Sequence, residues 1–119
     1  MLAMCVAYED SLPSVTYSCG VTFIAVAIPV ARTDAVSRAL ESAQAAKSHG
    51  ADLVEWRVDT LAEDPHAAAA IVRLVQESPL PCIVTVRDES EGGAFSGSDD
   101  ERITAWRAAS SAVPPPAYI

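Results

Sequence analysis

Hydrophobic and polar positions along the chain predict strands and helices in alternation. Residues 23–30, FIAVAIPV, form a continuous apolar run of strand length, which is typical of a strand covered on both faces. Thr33 or Asp34 can cap a helix through AVSRALESAQAAKSHG, which Gly50 ends. The small-residue face of this helix consists of Ala35, Ala39, Ala43 and Ala46. The pattern therefore predicts a strand followed by a helix that can pack closely.

The same order is repeated twice more. Residues 53–59, LVEWRVD, predict a second strand, and Asp64 and Pro65 open a second helix, with Pro65 at an early helical position. Residues 81–87, PCIVTVR, predict a third strand, and after an acidic loop with glycines a third helix covers about 100–112. Alternation with short connections predicts an α/β fold with a parallel sheet.

Two architectures fit this order of elements. One is an open doubly wound sheet, and the other is part of a (β/α)8 barrel, which needs roughly 250 residues when complete. Residues 117–119 resemble the start of a fourth strand, whereas residues 1–20 show no clear period and predict an irregular N-terminal extension. We therefore expect one structured domain over residues 21–119.

Composition and charge narrow the functional classes. The chain has 119 residues, half of them hydrophobic, so it can bury the core of one small domain. A net charge of −8 argues against nucleic acid and anionic membrane as partners, although two arginines in a cleft can still bind a small anion. Cys5, Cys19 and Cys82 form no CxxC and no zinc pattern, which fits reduced thiols in a cytoplasm. We also expect no secretory signal and no membrane span.

Charged residues collect at the C-terminal ends of the second and third strands. Successive side chains of a strand point to opposite faces, so the second strand has a charged face and an apolar face. The charged face holds Leu53, Glu55, Arg57 and Asp59, and the apolar face holds Val54, Trp56 and Val58. Arg87 ends the third strand, and Glu91 follows in the next loop beside two glycines. Because sites in parallel α/β proteins form at this end of the sheet, these groups predict a binding site.

Glu55 and Arg57 also allow a simpler interpretation as an exposed ion pair on a sheet edge, which contributes little to stability. Trp56 and its apolar neighbours argue against that interpretation, because they need a helix layer to cover them. The charged face then turns inward, where unpaired charges are costly. An inward cluster of carboxylate and guanidinium groups indicates an anionic or polyhydroxylated ligand.

Two motifs resemble those of a known family. EWRVD at residues 55–59, preceded by ADLV, is similar to the second-strand signature of type I 3-dehydroquinate dehydratase, and VTVRDESEGG at residues 84–93 is similar to its third-strand signature. AVAIPV before the first helix and a D-x-E-R opening of the third helix lie where that family has them. The resemblance covers residues 23–119. It implies a partial (β/α)8 TIM barrel, about the first three βα units plus the start of a fourth strand.

The resemblance also implies an activity and a set of roles. The family dehydrates 3-dehydroquinate to 3-dehydroshikimate in the shikimate pathway without a metal or organic cofactor, and its members are commonly homodimers. A lysine on a later strand forms a Schiff base with the substrate, and a later histidine moves protons. By this resemblance Glu55, Arg57 and Arg87 would bind the substrate, since the planar fork of arginine makes paired hydrogen bonds. Glu91 would orient the catalytic histidine.

The chain departs from the family at several positions. Lys47 is the only lysine and lies inside the first helix, outside a barrel, where it cannot form the Schiff base. His49 and His66 lie at helix ends and do not match the catalytic histidine, and Pro29 stands where some members have a substrate-contacting serine. We therefore expect an N-terminal piece of the enzyme that holds substrate-contact residues, is inactive alone and is marginally stable, because its outer strands lack partners.

Two alternatives stay open on the sequence. The chain could be a binding module, a half barrel that pairs with a complementary chain or with itself and holds a polyhydroxy acid without reacting. It could also be an unrelated open-sheet domain whose charged strand ends are only solvated.

Overall fold

The structure is a computed structural model that describes the backbone of residues 2–8 and 21–119, and side chains from residue 22 onward. The strands are β1 (Leu2–Tyr8), β2 (Val21–Pro29), β3 (Leu53–Arg57) and β4 (Cys82–Thr85). The helices are α1 (Val36–Ser48), α2 (Ala67–Gln76) and α3 (Asp99–Ser111). The predicted α/β alternation is confirmed from β2 onward.

The strands form one sheet in the order β1-β2-β3-β4. The last three are parallel, as predicted, with Ala27 beside Glu55 and Glu55 beside Ile83. β1 pairs antiparallel with β2. The prediction of an irregular segment over residues 1–20 is therefore wrong for residues 2–8, while residues 9–20 lie outside the described part. The stretch LAMCVAY contains no Gly or Pro, and the free edge of a strand offers backbone partners whatever the side-chain period.

One face of the sheet packs against all three helices. Alternate residues of β2, β3 and β4 and the facing helix residues share a single buried cluster. Its main members are Val26, Ile28, Val54, Trp56, Val58, Cys82 and Val84 from the strands and their extensions, and Ala39, Ala43, Ile71, Leu74, Ala105 and Ala109 from the helices. Trp56 is fully buried there, so the predicted assignment of the apolar face to the helix layer is confirmed. A doubly wound sheet instead carries helices on both faces.

Two predicted helix starts are wrong. Ala35 is the N-cap residue of α1 and provides no side-chain bond, since a 3-10 turn over Thr33–Ala35 comes first and Asp34 accepts from Arg32 Nε at 3.1 Å. Helix α2 begins at Ala67, two residues after Pro65, because Asp64 Oδ1 accepts from the His66 N–H at 2.7 Å and holds a turn there. Gly50 ends α1 as predicted, with φ of 97°.

The strands end earlier than the sequence pattern predicts. β3 stops at Arg57 because the Val58 carbonyl accepts from Ala62 N–H at 2.8 Å and so starts the next turn. Of the predicted start of a fourth strand at residues 117–119, Tyr118 forms an isolated parallel bridge with Ile83. The Val84 N–H donates to the Tyr118 carbonyl at 3.1 Å, which places residues 117–119 on the outer edge of β4.

Candidate functional site

A charged cluster lies at the C-terminal end of β3, on the face opposite the helices. Arg57 occupies its centre, with Nη2 2.8 Å from Asp59 Oδ2 and Nε 3.7 Å from Glu55 Oε1. Glu55 and Asp59 are the two buried charged residues of the described part, at 9% and 7% exposure. The Arg57 Nε–H is buried without a hydrogen-bond partner, because 3.7 Å is too long for a hydrogen bond. The cluster thus retains the Arg57 Nε–H as an unused donor, and the Glu55 carboxylate contacts Arg57 only through the 3.7 Å ion pair.

The cluster opens into a cleft of about 400 Å³ between the ends of β2 and β3. Its walls are mostly small or apolar, and its polar groups come from Arg57, Asp59 and Thr60. The lining residues are Ala27, Pro29, Val30, Ala31, Arg57, Asp59, Thr60 and Ala94. A concave site with few convergent polar groups is the usual form of a small-molecule site.

The loop after β4 folds back on the strand end through backbone contacts. Phe95 N–H donates to the Arg87 carbonyl at 3.0 Å, and its ring is buried. Gly93 lies against Arg87 so closely that a Cβ would collide with the Arg87 carbonyl oxygen. Gly92 has φ of 87°, a left-handed conformation that favours glycine. The paired glycines therefore allow the loop to approach the strand end.

Asp88 fixes the first turn of this loop. Its Oδ1 accepts from the Ser90 N–H at 2.9 Å, and Glu91 reaches back to the Asp88 N–H at 3.4 Å to complete a capping box. Donation from the Ser90 backbone and hydroxyl, with the positive charge of Arg102, holds the pKa of Asp88 below its ordinary value. The carboxylate form is thus the one that shapes the loop.

Glu91 is held by a residue of α3. Its Oε2 lies 3.1 Å from Arg102 Nη2, while Arg102 Nε donates to the Val86 carbonyl at 3.1 Å. The Arg102 guanidinium also lies 5.2 Å from the centre of the Trp106 ring, within the range of a cation–π contact. Glu91, Arg102 and Trp106 line a second cleft along the outer edge of β4, and Arg87 also lines it.

Comparison with known proteins identifies the family. The sequence profile described as type I 3-dehydroquinase matches residues 24–119. The chain belongs to the type I 3-dehydroquinase family. The match covers β2 to the end of the chain and therefore all of the charged cluster and the loop that follows β4.

Several archaeal relatives are similar in sequence over part of this range. The 3-dehydroquinate dehydratase of Methanothrix thermoacetophila is 47% identical over 68 residues, which are 57% of this chain and 28% of that protein. The 3-dehydroquinate dehydratase of Methanothermobacter thermautotrophicus is 45% identical over 58% of this chain and 30% of that protein. That of Methanococcus maripaludis strain C6 is 41% identical over 66% of this chain and 33% of that protein. The chain spans about a third of the length of the curated relatives it matches.

Sequence reasoning located Glu55 and Arg57 of the charged cluster and missed the contacts of its third member, Asp59. Glu55 and Arg57 lie together on the face of the sheet opposite the helices, as the alternation along β3 predicts. Arg87 and Glu91 line the other cleft, and Arg87 forms none of the ion pairs among the described residues. Asp59 was placed on the charged face but given no role, because the bonds that distinguish it come from residues remote in sequence. The functional roles of Glu55, Arg57, Arg87 and Glu91 stay predictions.

The remaining candidate groups lie away from the cluster. Lys47 is in the last turn of α1, and His49 is its C-cap residue, with Nδ1 2.7 Å from the Ala45 carbonyl. Within residues 22–119 no group of three His, Cys, Asp or Glu side chains is arranged to hold a metal ion. The helices in the described part are all too short or too polar to cross a bilayer.

Proposed function

We propose that this chain carries part of a 3-dehydroquinate site and that the cluster of Glu55, Arg57 and Asp59 is its polar wall. The observation that carries the proposal is the burial of Glu55 and Asp59 on either side of Arg57 in a type I 3-dehydroquinase domain, where Arg57 and Asp59 line a cleft and one guanidinium donor is unused. Burying a charge is costly unless it is paired. A ligand with hydroxyl and carboxylate groups supplies the partners that the cluster lacks.

The donors and acceptors of the cluster suit a polyhydroxylated acid. Glu55 can accept from a hydroxyl, and the unbonded Nε–H of Arg57 can donate to an oxygen on the same molecule. Two carboxylates flank Arg57, so the cluster itself carries an excess of negative charge. Arg87, whose guanidinium is exposed at the end of β4, is therefore the residue best suited to the substrate carboxylate.

The sheet is proposed to be an arc of a (β/α)8 barrel. Consecutive parallel strands are neighbours without a reversal of order, and all three helices cover one face. Both features support a barrel over a doubly wound sheet, in which strand order reverses. In this arrangement the Glu55 face is the barrel interior, and Lys47 lies in the outer layer.

The 119 residues are proposed to bind 3-dehydroquinate without dehydrating it. The reaction proposed for the complete site proceeds through an imine with a lysine, and Lys47 is the only lysine here. It is exposed on α1, on the side of the sheet away from the cluster. Binding is therefore the activity to measure on this chain.

The test is calorimetric titration of the chain with 3-dehydroquinate, followed by Arg57→Gln and Arg87→Gln. Each variant should weaken binding at least tenfold, about 1.4 kcal/mol, because each removes a charged donor to the ligand. Arg107→Gln is the matched control, since Arg107 is exposed on α3 and should leave the affinity unchanged. The assigned site would be contradicted if the wild type binds 3-dehydroquinate and neither Arg57→Gln nor Arg87→Gln weakens that binding.

A second candidate is a non-catalytic half barrel that pairs with a complementary chain. The observation in its favour is the outer edge of β4, where the pairing residue Tyr118 and its neighbour Ile119 are both half exposed. An exposed edge is a template for another strand. Sedimentation velocity over a hundredfold concentration range tests the form of this candidate in which the chain pairs with itself, because a self-pairing half barrel associates with or without 3-dehydroquinate.

A further inference from the structure

The backbone hydrogen-bond ladder between β3 and β4 ends with a side-chain acceptor in the place of a backbone carbonyl. In the parallel register, Val58 N–H donates to the Thr85 carbonyl at 3.0 Å, and the next bond would run from Arg87 N–H to the Val58 carbonyl. That carbonyl is occupied by the Ala62 N–H. The Arg87 N–H donates instead to Asp59 Oδ1 at 2.8 Å. A side-chain carboxylate thus takes over the last position of the ladder.

The same carboxylate binds two further donors. Asp59 Oδ2 accepts from Arg57 Nη2 at 2.8 Å and from the Ala94 N–H at 3.2 Å. One buried group therefore joins the end of β3, the end of β4 and the loop that follows β4. Hydrogen bonds to a buried charge are strong, and losing one leaves a donor without a partner.

We propose that Asp59 is a positioning residue for the substrate site. It fixes the Arg57 guanidinium so that Nε faces Glu55, and it sets the position of the Arg87 backbone at the same time. This inference rests on the proposed function for the part of it that concerns substrate. The orientation of Arg57 is a property of the free protein and can be measured separately.

Asparagine at position 59 cannot replace the carboxylate. It presents one acceptor oxygen where Asp59 uses two, and its amide is a donor that would face Arg57 Nη2 or a backbone N–H. Asp52→Asn is the matched control. Asp52 also accepts a backbone N–H across two strands, from Ile24 to Oδ2 at 2.9 Å, but at the opposite end of β3.

The first measurement uses the ligand-free chain with 15N-labelled arginine. In the wild type the Nη groups of Arg57 should give separate signals, because the bond to Asp59 hinders rotation of the guanidinium. Asp59→Asn should average these signals, and Asp52→Asn should not. Freely averaged Arg57 signals in the wild type would overturn the proposal, and this result is obtained even if Asp59→Asn does not fold.

The second measurement is the dissociation constant for 3-dehydroquinate. Asp59→Asn should raise it at least tenfold, Asp52→Asn less than twofold, and Asp59→Asn combined with Arg57→Gln no further than Arg57→Gln alone. Effects that add in full would show that Asp59 does not act through Arg57 and would overturn the proposal. Absence of wild-type binding would remove the proposed function and leave the positioning role to be decided by the arginine signals.

Discussion

At the residue scale, Gly50 and Gly93 are needed for different physical reasons. Gly93 is required by the neighbouring Arg87 carbonyl, whereas Gly50 has open space around it and a φ of 97°. We expect Gly93→Ala to destabilise the fold by about 1–3 kcal/mol through overpacking and Gly50→Ala by about 1–2 kcal/mol through backbone strain. Backbone amide shifts locate the effect.

Only Gly93→Ala should displace the amide signals of Arg87 and Ala94, since that loop must move away from the strand end. Urea unfolding gives the two stabilities, and an amide spectrum assigns each change to its place. Equal shifts at the strand end in the two variants would contradict the steric explanation of Gly93.

Cys82 provides a second prediction at this scale, and it depends on pH. Burial among apolar residues raises the pKa of the Cys82 thiol, although contacts with Ser78 and Trp56 partly oppose this. The folded state therefore prefers the neutral thiol. Its contribution to stability is fully present at pH values below the pKa of an unfolded thiol, about 8.5, and is lost as the pH rises through the folded-state pKa.

Alkylation by iodoacetamide, read at the Cys82 peptide by mass spectrometry, checks this prediction. In the native chain, modification should be slow and its pH midpoint should lie above that of the chain in urea. Identical midpoints in the two conditions would show that the native thiol is not shielded.

At the scale of elements, α1 and α3 begin in different ways. Ser98 caps α3 in a full capping box, with 3.2 Å from Glu101 N–H to the serine Oγ and 3.2 Å from Ser98 N–H to Glu101 Oε2. Helix α1 has no side-chain cap. Ser98→Ala should therefore lower the free energy of unfolding by about 1 kcal/mol.

Thr33→Ala is the matched control for the cap, because Thr33 is one of the two residues, with Asp34, that the sequence pattern suggested as a cap. We expect it to change the stability by less than about 0.5 kcal/mol. Thermal unfolding of both variants decides the point. A larger loss from Thr33→Ala than from Ser98→Ala would reverse the assignment of the two helix starts.

The elements also show how far sequence reasoning reaches. The faces of β3 were predictable because a two-residue period puts Trp56 and Glu55 on opposite sides whatever the rest of the fold does. The start of α1 was not, since Thr33 and Asp34 are equally good caps and a preceding 3-10 turn decides between them and Ala35. β1 depends on antiparallel pairing with β2, and the hydrophobic pattern of residues 2–8 by itself does not encode that partner.

The same limit applies to the site. Glu55 and Arg57 are neighbours on one strand face, so their proximity follows from the sequence alone. The role of Asp59 depends on Arg87 and Ala94, which reach it only through the packing of β4 and its loop. Long-range backbone bonds to a side chain leave no periodic signal.

At the scale of the whole molecule, Lys47 lies in a different layer of the fold from Arg57 and Arg87. Arg57 and Arg87 lie at the ends of the strands, while Lys47 lies on the outer helices. Treating the chain with 3-dehydroquinate and borohydride should therefore give no adduct on Lys47. Peptide mapping by mass spectrometry is the readout, and Lys47→Arg identifies any modification that comes from another amine. A trapped imine on Lys47 would overturn the separation of layers.

The contact of Arg102 with the Val86 carbonyl has a consequence for any strand that grows along β4. Residues 117–119 occupy the first part of that edge, and the Arg102 guanidinium occupies its far end. A neighbouring strand that extends as far as Val86 would compete with Arg102 for the Val86 carbonyl, and any shift of the Arg102 guanidinium would weaken its ion pair with Glu91. Glu91 would still accept from the Asp88 N–H, so the turn after β4 keeps its capping box.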